Sequence, residues 1–214
     1  MCSHYETVSK PERLKSAFQV DMPEGAKADV WPGYTGLFIR PPKEAMQGED
    51  VAPWREAMVG SFGLIPHWAK DATMARRTYN ARSETVATKP SYRDAWRVGR
   101  RCIIPAEAFY EPDWRSGRAV PTRIARRDGQ PMGIAGIWTG WRAPDGTIVR
   151  SMSMLTVNAD DHALMRNFHR PEDEKRMVVI LDEADFDSWL DGANHSPVNL
   201  LTQFDADRLV ALAQ

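Results

Sequence analysis

The sequence predicts an α+β fold: a mainly antiparallel, partly barrel-like β-sheet flanked by helices, in a single domain spanning 1–214. Three observations carry this. From Arg101 onward, apolar runs of strand length are separated by Ser116-Gly117, Asp128-Gly129 and Asp145-Gly146, dipeptides that suit antiparallel hairpins. Helical spacing of apolar residues occurs near both ends of the chain. Finally, 214 residues, 43% hydrophobic and without internal repeats or a break in composition, suit one sizeable core.

Taken in order, Ser9 and Pro11 mark a helix start, with Leu14, Ala17 and Phe18 as its apolar stripe. A Pro/Gly/Asp-rich loop, Met22 to Gly33, leads to a strand over Tyr34–Arg40, and Pro41–Pro53 reads as a mobile surface loop. The run Met58 to Trp68 is a strand whose glycines imply close backbone packing and whose proline ends it. Ser91 caps a short helix through Trp96. Strands then follow at Cys102–Ile104, Ala108–Tyr110, Pro121–Ala125, Met132–Trp141 and Ile148–Val157. Asp160 or Asp161 starts a helix, Met177–Leu181 is a buried strand, Asp182 caps a helix through Leu190, and an amphipathic helix closes the chain over Asp205–Ala213.

Composition excludes several classes. There is no run of 18 apolar residues and no basic segment followed by an apolar one at the start, so a cytoplasmic protein with no membrane span is expected. Two cysteines, Cys2 and Cys102, without a Cys-x-x-Cys pair argue against a disulfide framework or structural zinc. Cys102, between a basic pair and an apolar run, reads as a buried strand residue. Formal net charge is -1, but its distribution is uneven. Lys70–Arg127 holds 14 Lys/Arg against 6 Asp/Glu, whereas Pro171–Gln214 holds 3 against 10. Such asymmetry suits a basic face for a phosphate backbone, or else scattered solvated charge.

The start of the chain, Met1-Cys2-Ser3-His4-Tyr5, carries the most distinctive chemistry. An initiator methionine is trimmed when the next side chain is small, which would leave an α-amine and a thiol together on Cys2. Such a pair can trap an aldehyde: the amine forms an imine and the thiol closes a five-membered thiazolidine. An α-amine titrates near 7.7 to 8.0 against about 10.4 for Lys, so roughly one in seven is unprotonated at pH 7 against roughly one lysine in 2,500. A tethered thiol also gains an effective molarity of order 10⁵ M when well placed.

Three further polar islands stand in structured text. Asn80 and Arg82 lie in Tyr79-Asn-Ala-Arg-Ser-Glu-Thr85: the amide can orient an amine and the guanidinium can clamp a phosphate, or the stretch is a helix cap followed by an exposed ion pair. Glu111 ends an aromatic-lined strand in which Glu107, Phe109 and Glu111 share one face; desolvation there can lift a carboxyl into proton-transfer range, the bland alternative being a solvated strand-end charge. His169, in Asn167-Phe-His-Arg-Pro171, can shuttle a proton or simply bond a loop backbone. His162 and His169 are seven apart and lack a convincing acidic companion, so no metal site is expected.

Together these segments resemble the SOS-response-associated peptidase family, the abasic-site-processing domain. The resemblance rests on Cys2, the Gly-Leu-Ile-Pro-x-Trp run ending at Trp68, Asn80-Ala-Arg-x-Glu, Arg101-Cys-Ile-Ile-Pro-Ala with Tyr110-Glu111, and His169 before Arg176-Met-Val-Val-Ile-Leu. It implies binding of abasic sites in single-stranded DNA and shielding of the sugar aldehyde as a thiazolidine crosslink, with the β-rich fold inferred above. It assigns Cys2 as nucleophile after loss of Met1 by self-processing, Asn80 to positioning of the N-terminus, Glu111 to proton transfer and His169 to Schiff-base chemistry and reversal. It places Trp68 as an aromatic wedge, and Arg77, Arg82 and Arg176 on phosphates, with Trp68 as ordinary core the alternative. No metal or organic cofactor and a monomeric protein are implied. Two departures stand out: Ser3 and His4 replace the usual Gly-Arg after the cysteine, and Pro171–Lys175 looks like an insertion. The rival readings are a non-covalent single-strand-binding module and a cysteine amidase or protease acting in trans through Cys2 and His169.

Overall fold

A computed structural model describes residues 2–42, 54–191 and 197–213. Its strands are β1 (His4–Thr7), β2 (Asp29–Val30), β3 (Thr35–Arg40), β4 (Glu56–Phe62), β5 (Asn80–Arg82), β6 (Arg101–Asp113), β7 (Val120–Arg126), β8 (Met132–Arg142), β9 (Ile148–Asn158), β10 (Arg176–Val178), β11 (Ile180–Leu181) and β12 (Leu209–Ala213). Three short helices accompany them: α1 (Pro11–Phe18), α2 (Arg93–Arg97) and α3 (Phe186–Leu190). The fold is α+β and mostly antiparallel sheet, as the sequence predicts.

Five strands close a barrel. β8 pairs with β9, β9 runs parallel to β4, β4 pairs with β3, β3 with β6, and β6 returns to β8. Closure removes free edges, and buried side chains on both faces of its strands, Phe62, Ile134 and Met152 on one and Leu37, Ile39 and Ile103 on the other, exclude water from one core. β6 is the spine. It pairs through Arg101–Ala106 with β8, through Ala106–Tyr110 with β1 and through Phe109–Asp113 with β7. The sequence splits this strand at Pro105, which lacks a ladder donor. The strand nevertheless continues, because the Pro105 carbonyl accepts the Thr7 hydroxyl (3.1 Å) where β6 passes from one partner to the next.

Two of the three turn dipeptides close hairpins, β6–β7 at Gly117 and β8–β9 at Gly146, both at positive φ. Asp128-Gly129 also turns, but β7 does not pair with β8; it leaves the barrel and pairs with β12 instead. Cys102 is buried, as expected of a strand residue.

Other expectations are corrected. The closing helix over Asp205–Ala213 is a 3-10 turn, Ala206–Arg208, followed by β12, whose five residues pair with Thr122–Arg126. Helical periodicity and a five-residue ladder were both open to this segment, and the unpaired edge of β7 decided it. The helix expected from Asp160 or Asp161 is only a 3-10 turn at Met165–Asn167. There the side chains compete for the backbone: Asn158 Oδ1 accepts from Asp160 N–H (3.0 Å), and His162 Nδ1 accepts from Leu164 N–H (3.2 Å) and Met165 N–H (2.9 Å). Met177–Leu181 is divided into β10 on β9 and β11 on β8. Ser9 and Ser91 do not occupy the cap positions, which fall to Lys10 and Tyr92. Asp182 precedes a 3-10 turn and then α3, but its carboxylate bonds Arg208 (2.6 Å) and caps nothing. The strand over Met58–Trp68 stops at Phe62, and most of Pro41–Pro53, namely 43–53, lies outside the described residues. No described helix is long and apolar enough to cross a membrane.

Gly63, directly after β4, has φ +117°, and a Cβ there would run into the Ala75 backbone. Left-handed strain and overpacking each cost about 1–2 kcal/mol, so Gly63→Ala is expected to lower unfolding stability by about 3 kcal/mol in a urea titration.

Candidate active site

The β1–β6 ladder pairs His4 with Tyr110, which brings the chain start beside the end of β6. β5 lies parallel to β9, with Asn80 opposite Met154, and continues along β9 the line that β4 begins. The segment after Met165–Asn167 returns to β6 through a bridge between Phe168 and Asp113. These three encounters gather Cys2, Asn80, Glu111 and His169 from positions up to 167 residues apart.

Asn80 is nearly buried, and its Nδ2 donates to the Cys2 carbonyl at 2.7 Å. Its backbone carbonyl accepts the Tyr92 hydroxyl (2.8 Å), which fixes the strand from the other side. Among the described residues the amide oxygen Oδ1 is buried without a hydrogen-bond partner, a state that costs about 1–3 kcal/mol.

Glu111 is 2% exposed, and its Oε2 lies 3.4 Å from His169 Nδ1. Burial pushes its carboxyl up to about 7, with the positive charge of the chain's amino terminus pulling the other way. His169 is held at φ +63°, its N–H bonded to the Pro112 carbonyl (2.9 Å) and its Nε2 facing the Arg176 carbonyl (3.4 Å). Burial, then the amino-terminal charge, lower its pKa to about 4. A carbonyl beside Nε2 requires the proton on that nitrogen, so the neutral ring turns the Nδ1 lone pair toward Glu111. Near neutral pH the pair is therefore a carboxyl that burial draws toward its protonated form, facing a neutral imidazole.

The Cys2 side chain is 1% exposed, and its Sγ points to the His4 carbonyl at 3.4 Å. Burial, and next the charge of Glu111, push the thiol up to about 12. The sulfur is thus protonated in the chain that carries Met1. Among the described residues no group of three His, Cys, Asp or Glu could hold a metal ion, and His162 instead bonds the Phe204 carbonyl (2.7 Å).

The residues expected on DNA are placed differently from one another. Trp68 is 47% exposed and borders a cleft of about 490 Å³ with Lys70, Arg76 and Arg77, so the core alternative for it is excluded. Arg82 is half-exposed and paired with Glu174 Oε2 at 2.6 Å. Arg176 departs from the expectation: it is 1% exposed, with its guanidinium on Glu84 (2.9 Å), Glu174 (2.6 Å) and the Thr156 carbonyl (2.8 Å). A cation so enclosed holds the loop after His169 to β9 and offers no donor to a phosphate. The sequence missed Arg170, exposed beside His169 and lying over the Trp114 ring at 5.0 Å; its place directly after the histidine was the available signal. The basic stretch is also partly neutralised by the acidic one, through Arg82–Glu174 and Arg126–Glu183. His4, standing where an arginine was expected, is stacked between the rings of Trp31 and Tyr110.

Comparison with known proteins follows the same lines. A family model described as SOS response associated peptidase matches residues 1–213. The abasic site processing protein YoqW of Bacillus subtilis is 30% identical, the alignment covering 99% of this chain and 91% of that protein. The abasic site processing protein HMCES of Gallus gallus is 28% identical over 76% of this chain and 53% of its own length. A crystal structure of a protein from Bordetella bronchiseptica superposes with a TM-score of 0.87 at 43% identity, covering 100% and 99% of the two chains.

The two buried ionisable groups oppose each other in stability. Glu111, raised in the folded chain from an ordinary value near 4.5 to about 7, withdraws stability as pH rises through that window. His169, lowered from near 6.5 to about 4, adds stability as pH rises from 4 to 6.5. Wild-type stability should therefore be nearly flat between about pH 4.5 and 6.5. Glu111→Gln should remove the falling contribution and gain on wild type by up to about 3 kcal/mol between pH 4.5 and 7.5, read from urea midpoints.

Proposed function

Because the chain belongs to the SOS response associated peptidase family, we propose that it is a DNA-damage response protein that captures abasic sites in single-stranded DNA covalently through Cys2, once Met1 has been removed. The observation that carries the reading is Asn80, whose amide nitrogen grips the Cys2 carbonyl while its oxygen stays buried and unsatisfied. That oxygen is suited to accept an N–H of the α-amine that Met1 removal would create, turning the nitrogen lone pair toward an incoming carbonyl.

The chemistry balances without a cofactor. The Cys2 amine adds to the aldehyde of the opened sugar, and the carbinolamine loses water to give an imine. The thiol then adds across the C=N bond, its proton passing to nitrogen, and a thiazolidine results. Glu111, poised near 7 by burial, is suited to protonate the departing hydroxyl and to recover the proton afterwards. His169 faces that carboxyl and relays its proton, in ring opening as in ring closure. Cleavage of the Met1–Cys2 bond by the same groups would be the self-processing step of a peptidase. It must come first, since the sulfur is closed to solvent in the chain that carries Met1.

On the DNA side, Trp68 stacks on bases while Arg77, Lys70 and Arg76 face the backbone, and Arg82 exchanges Glu174 for a phosphate. Arg170, rather than Arg176, supplies the cation next to His169.

Incubation with single-stranded DNA bearing one abasic site should yield a band shift that survives heat and denaturant. It should vanish in Cys2→Ala and in chain blocked at Met1, and form about 100-fold more slowly in Glu111→Ala. Equal crosslinking by Met1-blocked chain would overturn the mechanism, and intact mass would show whether Met1 has gone. A wild-type chain that binds the DNA without any covalent band would favour the non-covalent module.

A further inference from the structure

His4, Trp31 and Tyr110 form a three-ring stack that the chemistry at Cys2 does not use. The His4 ring lies 4.1 Å from Trp31 at 8° and 4.2 Å from Tyr110 at 12°. Each layer is anchored. Asp29 Oδ1 bonds His4 Nε2 at 3.0 Å and so sets the rotation of the middle ring. The Tyr110 hydroxyl donates to Glu6, which Arg123 holds through two bonds of 2.8 and 2.7 Å. Trp31 opens a turn closed by Tyr34 N–H to its own carbonyl (2.8 Å), and Gly33 N–H ties that turn to the Phe62 carbonyl (2.6 Å).

Although His4 covers one face of its indole, Trp31 remains 45% exposed. An indole stacked on one face and almost half exposed is a partly prepaid stacking surface, because the contact with His4 already restricts its rotamers before a base lands on it. The surroundings suit a nucleic acid strand. The cleft beside Trp68 adjoins a second depression of about 240 Å³ containing Pro32, Gly33 and Tyr34, and the two share Thr73 and Arg76. A groove with a cation at its junction thus leads from Trp68 to the turn that carries Trp31. His4 follows Cys2 by two residues, about 7 Å of extended chain, a distance on the order of one or two nucleotide steps.

We propose that Trp31 is a second base-stacking platform that receives the nucleobase adjoining the abasic nucleotide, and that the protein consequently prefers a purine beside the lesion. The inference rests on the capture of abasic DNA proposed above and adds to it a neighbour preference. Stacking is tolerant of sequence but stronger for the larger purine rings, so the preference is graded.

The test uses full-length protein and single-stranded oligonucleotides carrying a tetrahydrofuran baseless residue, which binds but cannot crosslink. The neighbouring position, 5′ or 3′ in turn, holds adenine, thymine or a second baseless residue. On one side, removing the neighbouring base should weaken wild-type binding about tenfold, with thymine intermediate. Trp31→Ala should abolish that dependence and Trp31→Phe should keep most of it. Independently of any variant, 2-aminopurine at that position should lose emission on binding wild type. A neighbour dependence that survives in Trp31→Ala, or 2-aminopurine emission that does not fall on either side, overturns the platform. Should wild type bind none of these oligonucleotides, the capture reading falls and the platform with it.

Discussion

The register between β1 and β6 is the constraint on which the site depends. Tyr5 lies opposite Phe109 and His4 opposite Tyr110, so the residue two places before His4 arrives beside Glu111. Side chains alternate between faces with period two, and a one-residue slip would send Tyr5 to solvent and His4 into the core. Tyr5 fully buried against Phe62 makes that slip costly, which means that a large aromatic inside the barrel specifies where a small residue outside it sits.

Burial then sets the chemistry. Glu111 and His169 are both withdrawn from water, and desolvation drives each toward its neutral form, the carboxyl upward and the imidazole downward. An exposed pair at the same separation would hold opposite charges at pH 7 and exchange protons mainly with solvent. Here a left-handed backbone at His169, two backbone contacts and the enclosed Arg176 maintain the ring where an unconstrained loop would let it swing out. Arg176 therefore serves the site indirectly. Its guanidinium is engaged by Glu84, Glu174 and both the hydroxyl and the carbonyl of Thr156, and so keeps the loop after His169 against β9.

The same logic separates the aromatic residues. Tyr5, Phe62 and Trp189 are consumed by the core, whereas Trp31 and Trp68 stay about half in water. A protein of near-neutral charge, many of whose arginines are paired with its own acids, has limited attraction for phosphate at a distance.

Much of this was legible in the residues alone. Turn chemistry at Ser116-Gly117 and Asp145-Gly146, the apolar strand runs and the polar islands at Cys2, Asn80, Glu111 and His169 were readable because each depends on residues adjacent in sequence. Their order also carried the family resemblance. What only the tertiary structure decided was non-local. β12 is a strand because β7 offered an edge, Arg176 is buried because Glu84 and Glu174 enclose it, and His4 is stacked because Trp31, 27 residues away, comes to rest on it. In each case a local preference worth a fraction of a kcal/mol per residue met a ladder, an ion pair or a ring stack worth more, and partners distant along the chain settled the outcome.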